Sequence, residues 1–308
     1  MNIPFIFNGI RKISLASSTT TAMSARLLGI LLSLQLPLET ALTIAFMGTL
    51  LLLGIYEQLA PYRGDWRANR KEWMMNLAQF LPNGLLDKAG MLLAILIAVQ
   101  FGRPEQPEQP LATLLAIPLA IVISELFAYW FHRLSHRQPW LWKIHGIHHT
   151  PSKVNLVNTN TIHFLDMLLT SLFSALPLVV LGFSDETMAI ALFITGVQNF
   201  IVHTNANIRP GGFCRLLMGP AHHRLHHSTI TSEAQNYGTT IALWDQAFGT
   251  SVLPDRTAGA VGIAEPNAFP SPAIPLQCQL FPFRINQHRD SNTGMDQSRH
   301  TPVPPSPQ

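Results

Sequence analysis

The sequence contains several long apolar runs that carry few charged residues. They lie at 40–59, 91–102, 111–131, 165–183 and 187–202. A membrane-spanning helix needs about 20 apolar residues, within a range of roughly 17 to 25, and the runs 40–59 and 111–131 meet this requirement. Asp, Glu, Lys and Arg together make up 12% of the chain, against about 25% in an average soluble domain. These features favour an all-α, polytopic membrane protein over a soluble protein with the same runs as core helices.

The charged residues between the runs predict how the helices are oriented. Short loops rich in Lys and Arg stay on the cytoplasmic side, and the loop 61–73 carries three arginines and a lysine. The next loop, 102–110, would then lie outside, and a membrane hairpin at 165–203 would begin and end inside. We therefore predict four or five spans and a cytoplasmic helical cap formed by 132–164 and 204–250. A bacterial inner membrane fits a short chain without fused domains better than the endoplasmic reticulum.

Changes in composition divide the chain into four regions. Residues 1–38 contain no acid and predict a targeting or membrane-surface segment, and 39–131 is the transmembrane region. A histidine-rich region follows at 132–250. Ten of the 23 prolines lie in 254–308, so we predict that 251–308 is a disordered tail without a catalytic role.

Two classes of protein are disfavoured by the rest of the composition. The only cysteines, Cys214 and Cys278, are too few for a disulfide framework or an iron-sulfur site. The formal charge of +3 comes without a basic stripe interleaved with aromatic residues, so nucleic acid is not an expected partner.

The histidines carry the strongest functional signal. Eleven of the 13 fall between His132 and His227. They form an H-x-x-x-H pattern at 132–136 and two H-x-x-H-H patterns at 145–149 and 223–227. Residues at these spacings share a helix face, and neutral imidazole is the commonest protein ligand for several transition metals. Eight clustered histidines exceed what one tetrahedral zinc site can use, so the pattern predicts two metal ions.

Other histidine-rich sites explain the spacing less well. A pH sensor could use several histidines but would not need two H-x-x-H-H repeats. A bis-histidine cytochrome needs single imidazoles that face each other across helices. The H-E-x-x-H motif of zinc proteases is absent from the sequence.

The same segments resemble the fatty acid hydroxylase superfamily, which includes sterol desaturases and sphingolipid hydroxylases. The resemblance covers about residues 121 to 250 and includes ELFAYWFHRLSH, WLWKIHGIHHT, NFIVHTNANI, PAHHRLHHS and WDQAFGT. The resemblance implies that 132–250 is the catalytic region and that nine histidines bind metal. Eight of them form the three clusters, and His203 lies between the second and third. The nine are His132, His136, His145, His148, His149, His203, His223, His226 and His227.

Three further positions could bind metal or support the ligands. His163 matches a histidine often found after the second cluster, although Phe164 stands where a proline is usual. His222 adjoins the third cluster, and Asn207 occupies the place of a further histidine in some relatives. Asn155, Trp244 and Asp245 are expected to support the frame of the site.

Glu125 is the acidic residue that the pattern singles out. It lies within an apolar run, seven residues before His132 and eleven before His136, so the three share one helix stripe. A carboxylate in a membrane segment is a functional hypothesis by default. We expect it to accept the N–H of a ligating imidazole, the alternative being a helix-end residue that reaches the interface.

Four basic residues near the clusters allow two interpretations. Arg133, Arg137, Lys143 and Arg224 could face the phosphates of an anionic inner leaflet. They could equally be ordinary cytoplasmic anchors.

The family resemblance implies a di-iron centre that uses O2, a lipid substrate and electrons from a separate cytochrome b5-like or ferredoxin-type protein. Zinc lacks redox chemistry, although it could occupy the site in purified protein. Hydroxylation and desaturation both remain open, because no residue separates them. A metal-binding membrane protein without oxygen chemistry is the alternative from another functional class.

Overall fold

A computed structural model of the protein describes residues 36–100, 110–208, 215–253 and 258–284, together with Leu27 and Leu31. Most of the predicted segment 1–38, the loop 102–110 up to residue 109, Cys214 and the chain from 285 onward lie outside the described residues. Within the described ranges the chain is helical, with three isolated β-bridges and no β-strand. The predicted all-α fold is confirmed for this part of the chain.

Nine α-helices in the described ranges are numbered here in chain order. They are α1 (Leu38–Leu59), α2 (Arg70–Val99), α3 (Pro110–Arg137), α4 (Pro139–His149), α5 (Phe164–Val180), α6 (Asp185–His203), α7 (Pro220–His226), α8 (Leu243–Ala247) and α9 (Pro275–Leu280). A 3-10 turn at Val157–Asn160 lies between α4 and α5.

Local sequence signals explain where several of these helices begin. Asn69 and Glu72 form a reciprocal capping box at the start of α2, which satisfies backbone N–H groups that the first turn leaves open. Ser184 caps α6 through the N–H of Thr187. Pro139 occupies the first position of α4, where its missing N–H costs nothing.

Three helices are long and apolar enough to cross a membrane, namely α1, α2 and the part of α3 from Leu115 to Arg137. Helix α5 is apolar but shorter. Large side chains point outward along α2, where Leu77, Leu81 and Leu85 are 68%, 74% and 70% exposed. Such a surface suits hydrocarbon and would be unfavourable in water, so the helices support a membrane protein. The predicted four or five spans exceed these three candidates and stay a prediction.

Helices α2, α3, α5 and α6 pack around a core of small and aliphatic side chains that includes Ala94, Leu178 and Ala191. Helix α2 packs tightly against α5 at Gly90. A Cβ atom built on Gly90 would lie 2.6 Å from the carbonyl oxygen of Leu168 and 2.7 Å from Cβ of Ser171. Glycine at position 90 therefore sets the spacing between these two helices.

Replacing Gly90 by alanine should push α2 away from α5. Overpacking of this kind costs about 1–3 kcal/mol, and we expect the free energy of unfolding in detergent to fall by that amount. Gly84→Ala is the matched control, because a Cβ at Gly84 in the same helix would meet nothing within 4 Å. Equal stability of the two variants would contradict the close approach.

Hydrogen bonds join the end of α1 and the connection after it to the segments that follow α4 and α6. The N–H of Tyr62 donates to the carbonyl oxygen of Asn205 over 2.9 Å. The fully buried carboxylate of Glu57 accepts the N–H groups of Leu156 and Asn205, each over 2.8 Å. These contacts bring the end of α1 beside the segments that follow α4 and α6.

The prediction of a disordered tail is wrong for residues 258–284. This segment forms α9 and contacts the histidine-rich region. Phe269 lies over Gly146 and packs edge-on against Trp142 with 5.9 Å between ring centroids, and the carbonyl oxygen of Gln279 accepts His163 Nε2 over 2.9 Å. Proline-rich composition misled the prediction because Pro275 begins a helix here rather than excluding one.

Candidate metal centre

Four helices bring the nine predicted ligands together at one end of the molecule. The last turns of α3 carry His132 and His136, and the end of α6 carries His203. Helix α4 carries the second cluster, and α7 with the residue after it carries the third. One ring nitrogen from each histidine points into one of two groups.

Group one contains His132, His136, His145, His149 and His226, and its five ring nitrogens lie within 4.8 Å of one another. His145 Nε2 is 3.0 Å from His132 Nε2 and 3.2 Å from His149 Nε2. Ligand nitrogens bound to one ion at about 2.0–2.1 Å lie roughly 3 Å apart. The observed separations match those around a single ion.

Group two contains His148, His203, His223 and His227, all buried, and its four ring nitrogens lie within 4.8 Å of one another. His203 Nε2 is 3.1 Å from His148 Nε2 and 2.8 Å from His223 Nε2. His227 Nε2 lies 3.1 Å from His223 Nε2. This group offers four ligands to a second ion.

The hydrogen bonds of the outer ring nitrogens fix which nitrogen carries the proton. His145 Nδ1 faces Asp166 Oδ2 at 2.8 Å, and His132 Nδ1 faces the carbonyl oxygen of Tyr237 at 2.6 Å. Both oxygens are acceptors, so both Nδ1 atoms donate. The two Nε2 lone pairs then face each other at 3.0 Å. Two acceptors repel at this distance, and a cation between them removes the repulsion.

Two more histidines are held in the same tautomer. His148 Nδ1 donates to the carbonyl oxygen of Thr161 over 3.1 Å, and His226 Nδ1 donates to that of Gln235 over 2.8 Å. Within the described residues, His226 Nε2 and His136 Nε2 are buried and have no hydrogen-bond partner. Buried polar atoms are normally paired, and both of these nitrogens belong to group one, so group one fits a bound metal.

Burial also keeps five of the predicted ligands outside the candidate membrane spans uncharged. It lowers the pKa of His148 to about 4 and that of His226 to about 3. It lowers the pKa of His149, His223 and His227 as well, and neighbouring imidazoles add to the effect. Neutral imidazoles bind a metal without first losing a proton. At neutral pH these five side chains are therefore in the binding form.

The two groups adjoin and share the same sequence motifs. The rings of His149 in group one and His227 in group two stack with 4.3 Å between centroids. Adjacent residues divide between the groups, with His148 in group two and His149 in group one, and His226 in group one and His227 in group two. Each H-x-x-H-H motif therefore contributes to both groups.

Asp166 is a functional residue that the sequence reasoning missed. It is 2% exposed and lies in the first turn of α5, where its carboxylate orients His145. A carboxylate that accepts the second N–H of a ligating imidazole fixes the ring and raises its basicity. The available signal was an acid at the start of the apolar run 165–183.

Replacing Asp166 by asparagine should weaken the metal centre while preserving its shape. Loss of such a supporting partner typically lowers metal affinity or activity about 10- to 100-fold. We expect a reduction of that size in the affinity of the purified protein, measured by competition with a chelator. Asp166→Glu tests whether a negative charge at this position is sufficient for full metal affinity. Unchanged affinity in Asp166→Asn would contradict the role of Asp166 in supporting His145.

Glu125 does not have the predicted role. Its carboxylate accepts hydrogen bonds from the backbone N–H of Thr240 over 2.9 Å and from the hydroxyls of Thr239 and Thr240 over 3.1 and 3.0 Å. The hypothesis that it orients an imidazole is therefore wrong. Glu125 shares a helix stripe with His132, but at position 125 this stripe faces the segment 239–241. The Glu125 carboxylate therefore holds that segment in place.

The three additional candidates lie outside both groups. His163 caps α5, its Nδ1 accepting the N–H of Leu165 over 3.1 Å. His222 is buried, and its Nδ1 accepts the N–H of Gly219 over 3.2 Å. Asn207 is exposed. The structure gives none of them a position among the converging nitrogens.

Asp245 supports the centre through one intermediate residue. Its carboxylate accepts the N–H groups of Tyr237 and Gly238, each over 2.8 Å, and Tyr237 in turn accepts His132 Nδ1. Trp244 Nε1 donates to the carbonyl oxygen of Val122 over 3.0 Å. These contacts place both residues beside the centre, and their supporting roles stay a prediction.

Asn155 is placed in the frame of the cap. Its Nδ2 donates to the carbonyl oxygen of Trp66 over 2.9 Å, and its Oδ1 accepts the N–H of Asn158 over 3.0 Å. It stabilises the turn that leads to Thr161, the acceptor of His148.

Some of the basic residues near the clusters contact other side chains of the protein, whereas Arg137 is exposed. Arg224 is 4% exposed and lies over the ring of Tyr62 at 3.9 Å, so the lipid-phosphate interpretation is wrong for it. Arg133 donates to Tyr129 Oη over 2.9 Å and lies over Trp130. Arg137 is exposed and stays available to lipid headgroups.

Comparison with known proteins supports the family resemblance. The fatty acid hydroxylase family model matches residues 117–250. The chain is 30% identical over 240 residues to the ornithine lipid hydroxylase OlsE of Rhizobium tropici, covering 71% of this chain and 70% of that protein.

Two further relatives match over shorter lengths of the chain. Alkylglycerol monooxygenase of Xenopus tropicalis is 29% identical over 157 residues, which is 49% of this chain and 33% of that one. A putative Delta(7)-sterol-C5(6)-desaturase of Arabidopsis thaliana is 29% identical over 146 residues, 46% of this chain and 49% of the relative. No solved structure matches. The converging histidines and the extent of the first match show that this chain belongs to the fatty acid hydroxylase family.

Proposed function

We propose that the protein is a membrane-bound di-iron oxygenase that hydroxylates an acyl lipid with O2 and externally supplied electrons. The observation that carries the proposal is the convergence of nine imidazoles into two adjoining groups. Within each group the ring nitrogens converge on one point. A storage site for a single ion would need only one such group.

Iron is the metal that suits this function. Neutral imidazole binds zinc, copper and iron alike, but only a redox-active metal can use O2, and membership of an oxygenase family favours iron. Group one would hold one ion and group two the other, and when bound they would supply O2 activation. Zinc in purified protein would not contradict this assignment, because affinity does not determine the metal in the cell.

The chain's own residues prepare the centre in three ways. Asp166 and the carbonyl oxygens of Thr161, Tyr237 and Gln235 hold the Nδ1 protons of four histidines, so each Nε2 keeps a free lone pair. Burial keeps the imidazoles of His148, His149, His223, His226 and His227 neutral, because it lowers the pKa of each. The segment 258–284 covers the outer side of α4 through Phe269 and reduces access of water to the site.

The substrate class is proposed from the fold and from the first relative. The centre lies at one end of long apolar helices, so a lipid could keep its chain in the bilayer while one carbon reaches the metals. OlsE is an ornithine lipid hydroxylase by name. We infer that this chain also acts on an acylated membrane lipid.

The proposed topology places the centre on the cytoplasmic face of a bacterial inner membrane. It treats α1, α2, α3, α5 and α6 as the membrane helices and the histidine-bearing segments as the cap. The loop 61–73, rich in Lys and Arg, adjoins the cap and supports this orientation. The electron donor would be a separate cytochrome b5-like or ferredoxin-type protein that reaches the cap from the cytoplasm.

Lipid mass spectrometry of a bacterial host tests the proposal. Cells expressing the wild type should contain a lipid heavier by one oxygen atom, and cells expressing His226→Ala/His227→Ala should lack it, because this double change removes one ligand from each group. A product lighter by two hydrogen atoms would instead identify a desaturase, which the sterol desaturase relative makes the second candidate. Metal-loaded protein that shows no reductant-dependent O2 uptake with acyl lipids would overturn the oxygenase proposal.

A further inference from the structure

A cavity of about 600 Å³ lies between α1 and α2, below the cap. Its walls come from α1, α2, the 3-10 turn at Val157–Asn160 and Phe200 of α6. Ligand cavities typically measure about 300–1,000 Å³. The histidines take no part in its lining, so it is distinct from the metal centre.

The lining is aliphatic and aromatic along most of its length. It extends on α1 from Met47 to Gln58, a distance of about 16 Å at the rise of an α-helix. Both bordering helices are candidate membrane spans. Leu51 and Leu77 at its margin are 65% and 68% exposed. The cavity therefore opens sideways into the hydrocarbon layer, where an elongated apolar chain could enter.

One polar group in the wall lacks a partner. Gln58 Nε2 is buried and, within the described residues, makes no hydrogen bond. The other cavity-lining amide from these two helices, that of Asn76, donates to the carbonyl oxygen of Glu72 and accepts the hydroxyl of Thr161. A buried amide donor without an acceptor costs free energy. Gln58 is thus free to donate to an oxygen atom of a ligand in the cavity.

The end of the cavity nearest the cap adjoins the elements that carry group two. Phe200 lies on α6 one turn before His203. Asn160 precedes Thr161, whose carbonyl oxygen accepts His148 Nδ1. A chain in the cavity would therefore touch the supports of two metal ligands.

We propose that this cavity binds one acyl chain of a membrane lipid, whose ester or amide carbonyl accepts a hydrogen bond from Gln58 Nε2. The lipid is the substrate of the proposed function, and this part of the inference rests on that function. The apolar wall holds the chain, and Gln58 sets its depth at the level of the cap.

Photolabelling of the full-length protein tests chain binding directly. The probe is a phosphatidylethanolamine with a diazirine in the middle of one acyl chain, added to nanodiscs of phosphatidylethanolamine and phosphatidylglycerol. In the wild type, labels should concentrate on the cavity face of α1 and on Trp73 and Leu77 of α2. Equal labelling of the outward residues Leu81 and Leu85 would show only surrounding bilayer lipid and overturn the site.

Gly54→Leu provides the blocking variant. Gly54 lines the cavity, and a Cβ there would meet Leu156 and Trp73 at ordinary contact distances of 3.6 and 3.7 Å, so a leucine would extend into the space. We expect labelling of the cavity face to fall severalfold. Gly84→Leu is the matched control in open space and should label like the wild type. Undiminished labelling in folded Gly54→Leu would contradict the proposal.

Competition between two lipids tests the role of Gln58. Dialkyl phosphatidylethanolamine lacks the carbonyls of the diacyl form. The wild type should prefer the diacyl lipid by about two- to tenfold, as expected for one hydrogen bond, and Gln58→Leu should bind both equally. Equal binding by the wild type would remove the assigned role of Gln58.

These binding measurements separate the site from the reaction. Labels on the cavity face with no oxidised lipid in the host would preserve the site and count against the oxygenase function. Oxidised lipid without cavity labelling would preserve the function and overturn the site.

Discussion

The double variant His148→Ala/His227→Ala should retain about one metal ion per chain instead of two, and so should His149→Ala/His226→Ala. The first removes two ligands from group two and the second removes two from group one. The first variant leaves two ligands in group two and the second leaves three in group one, so the affected group should lose enough affinity to be empty in the purified protein. Both variants should lose lipid oxidation entirely. Elemental analysis of purified protein, with Mössbauer spectroscopy after iron loading, measures the result.

These two variants differ only by shifting each substitution to the neighbouring residue. They therefore test the division of each H-x-x-H-H motif between the groups rather than the general need for histidine. His163→Ala is the control outside both groups and should keep two ions. Loss of both ions from each double variant would mean that the centre behaves as a single site.

Replacing Glu57, near the end of α1 that contacts the cap, by alanine should cause a large loss of stability. The change leaves the N–H groups of Leu156 and Asn205 buried without their acceptor. Each such group costs about 1–3 kcal/mol, so the free energy of unfolding should fall by about 2–6 kcal/mol. Thermal unfolding in detergent and amide exchange at the two residues measure the effect.

Glu57→Gln provides the comparison, because a glutamine keeps one acceptor oxygen at the same reach. It should lose less stability than the alanine variant. If both variants unfold like the wild type, Glu57 does not hold the α1 end to the segments beyond α4 and α6.

The sequence predicted the parts of the centre that depend on local spacing. H-x-x-x-H and H-x-x-H-H place imidazoles on one helix face, and the structure brings all nine predicted ligands together. The apolar runs likewise predicted the long helices, because span length depends on a contiguous segment. Neither inference needed a contact between distant parts of the chain.

The division into two groups could not be predicted in the same way. His148 and His149 are neighbours in α4, and adjacent residues on a helix point in different directions. Which direction meets which partner depends on where α3, α6 and α7 lie around α4. Spacing alone supports a count of ligands but not their assignment to ions.

The carboxylates show why helix periodicity alone misled the prediction. Glu125 and Asp166 both lie in apolar segments close to histidines. Glu125 shares a helix stripe with His132, but the segment 239–241 fills the space that its carboxylate faces. Asp166 lies in a different helix from His145 and reaches it only through the packing of α5 beside α4. Tertiary contact, and not helix periodicity, decided between them.

The segment 258–284 extends the folded part of the chain beyond the region that the family model matches. Similarity to the family model stops at residue 250, yet Phe269 occupies the space above Gly146, and Gln279 bonds to the start of α5. During synthesis these residues leave the ribosome after every metal ligand. The outer covering of α4 and of the start of α5 is therefore the last of the described segments to be made, later than any part that the family model matches.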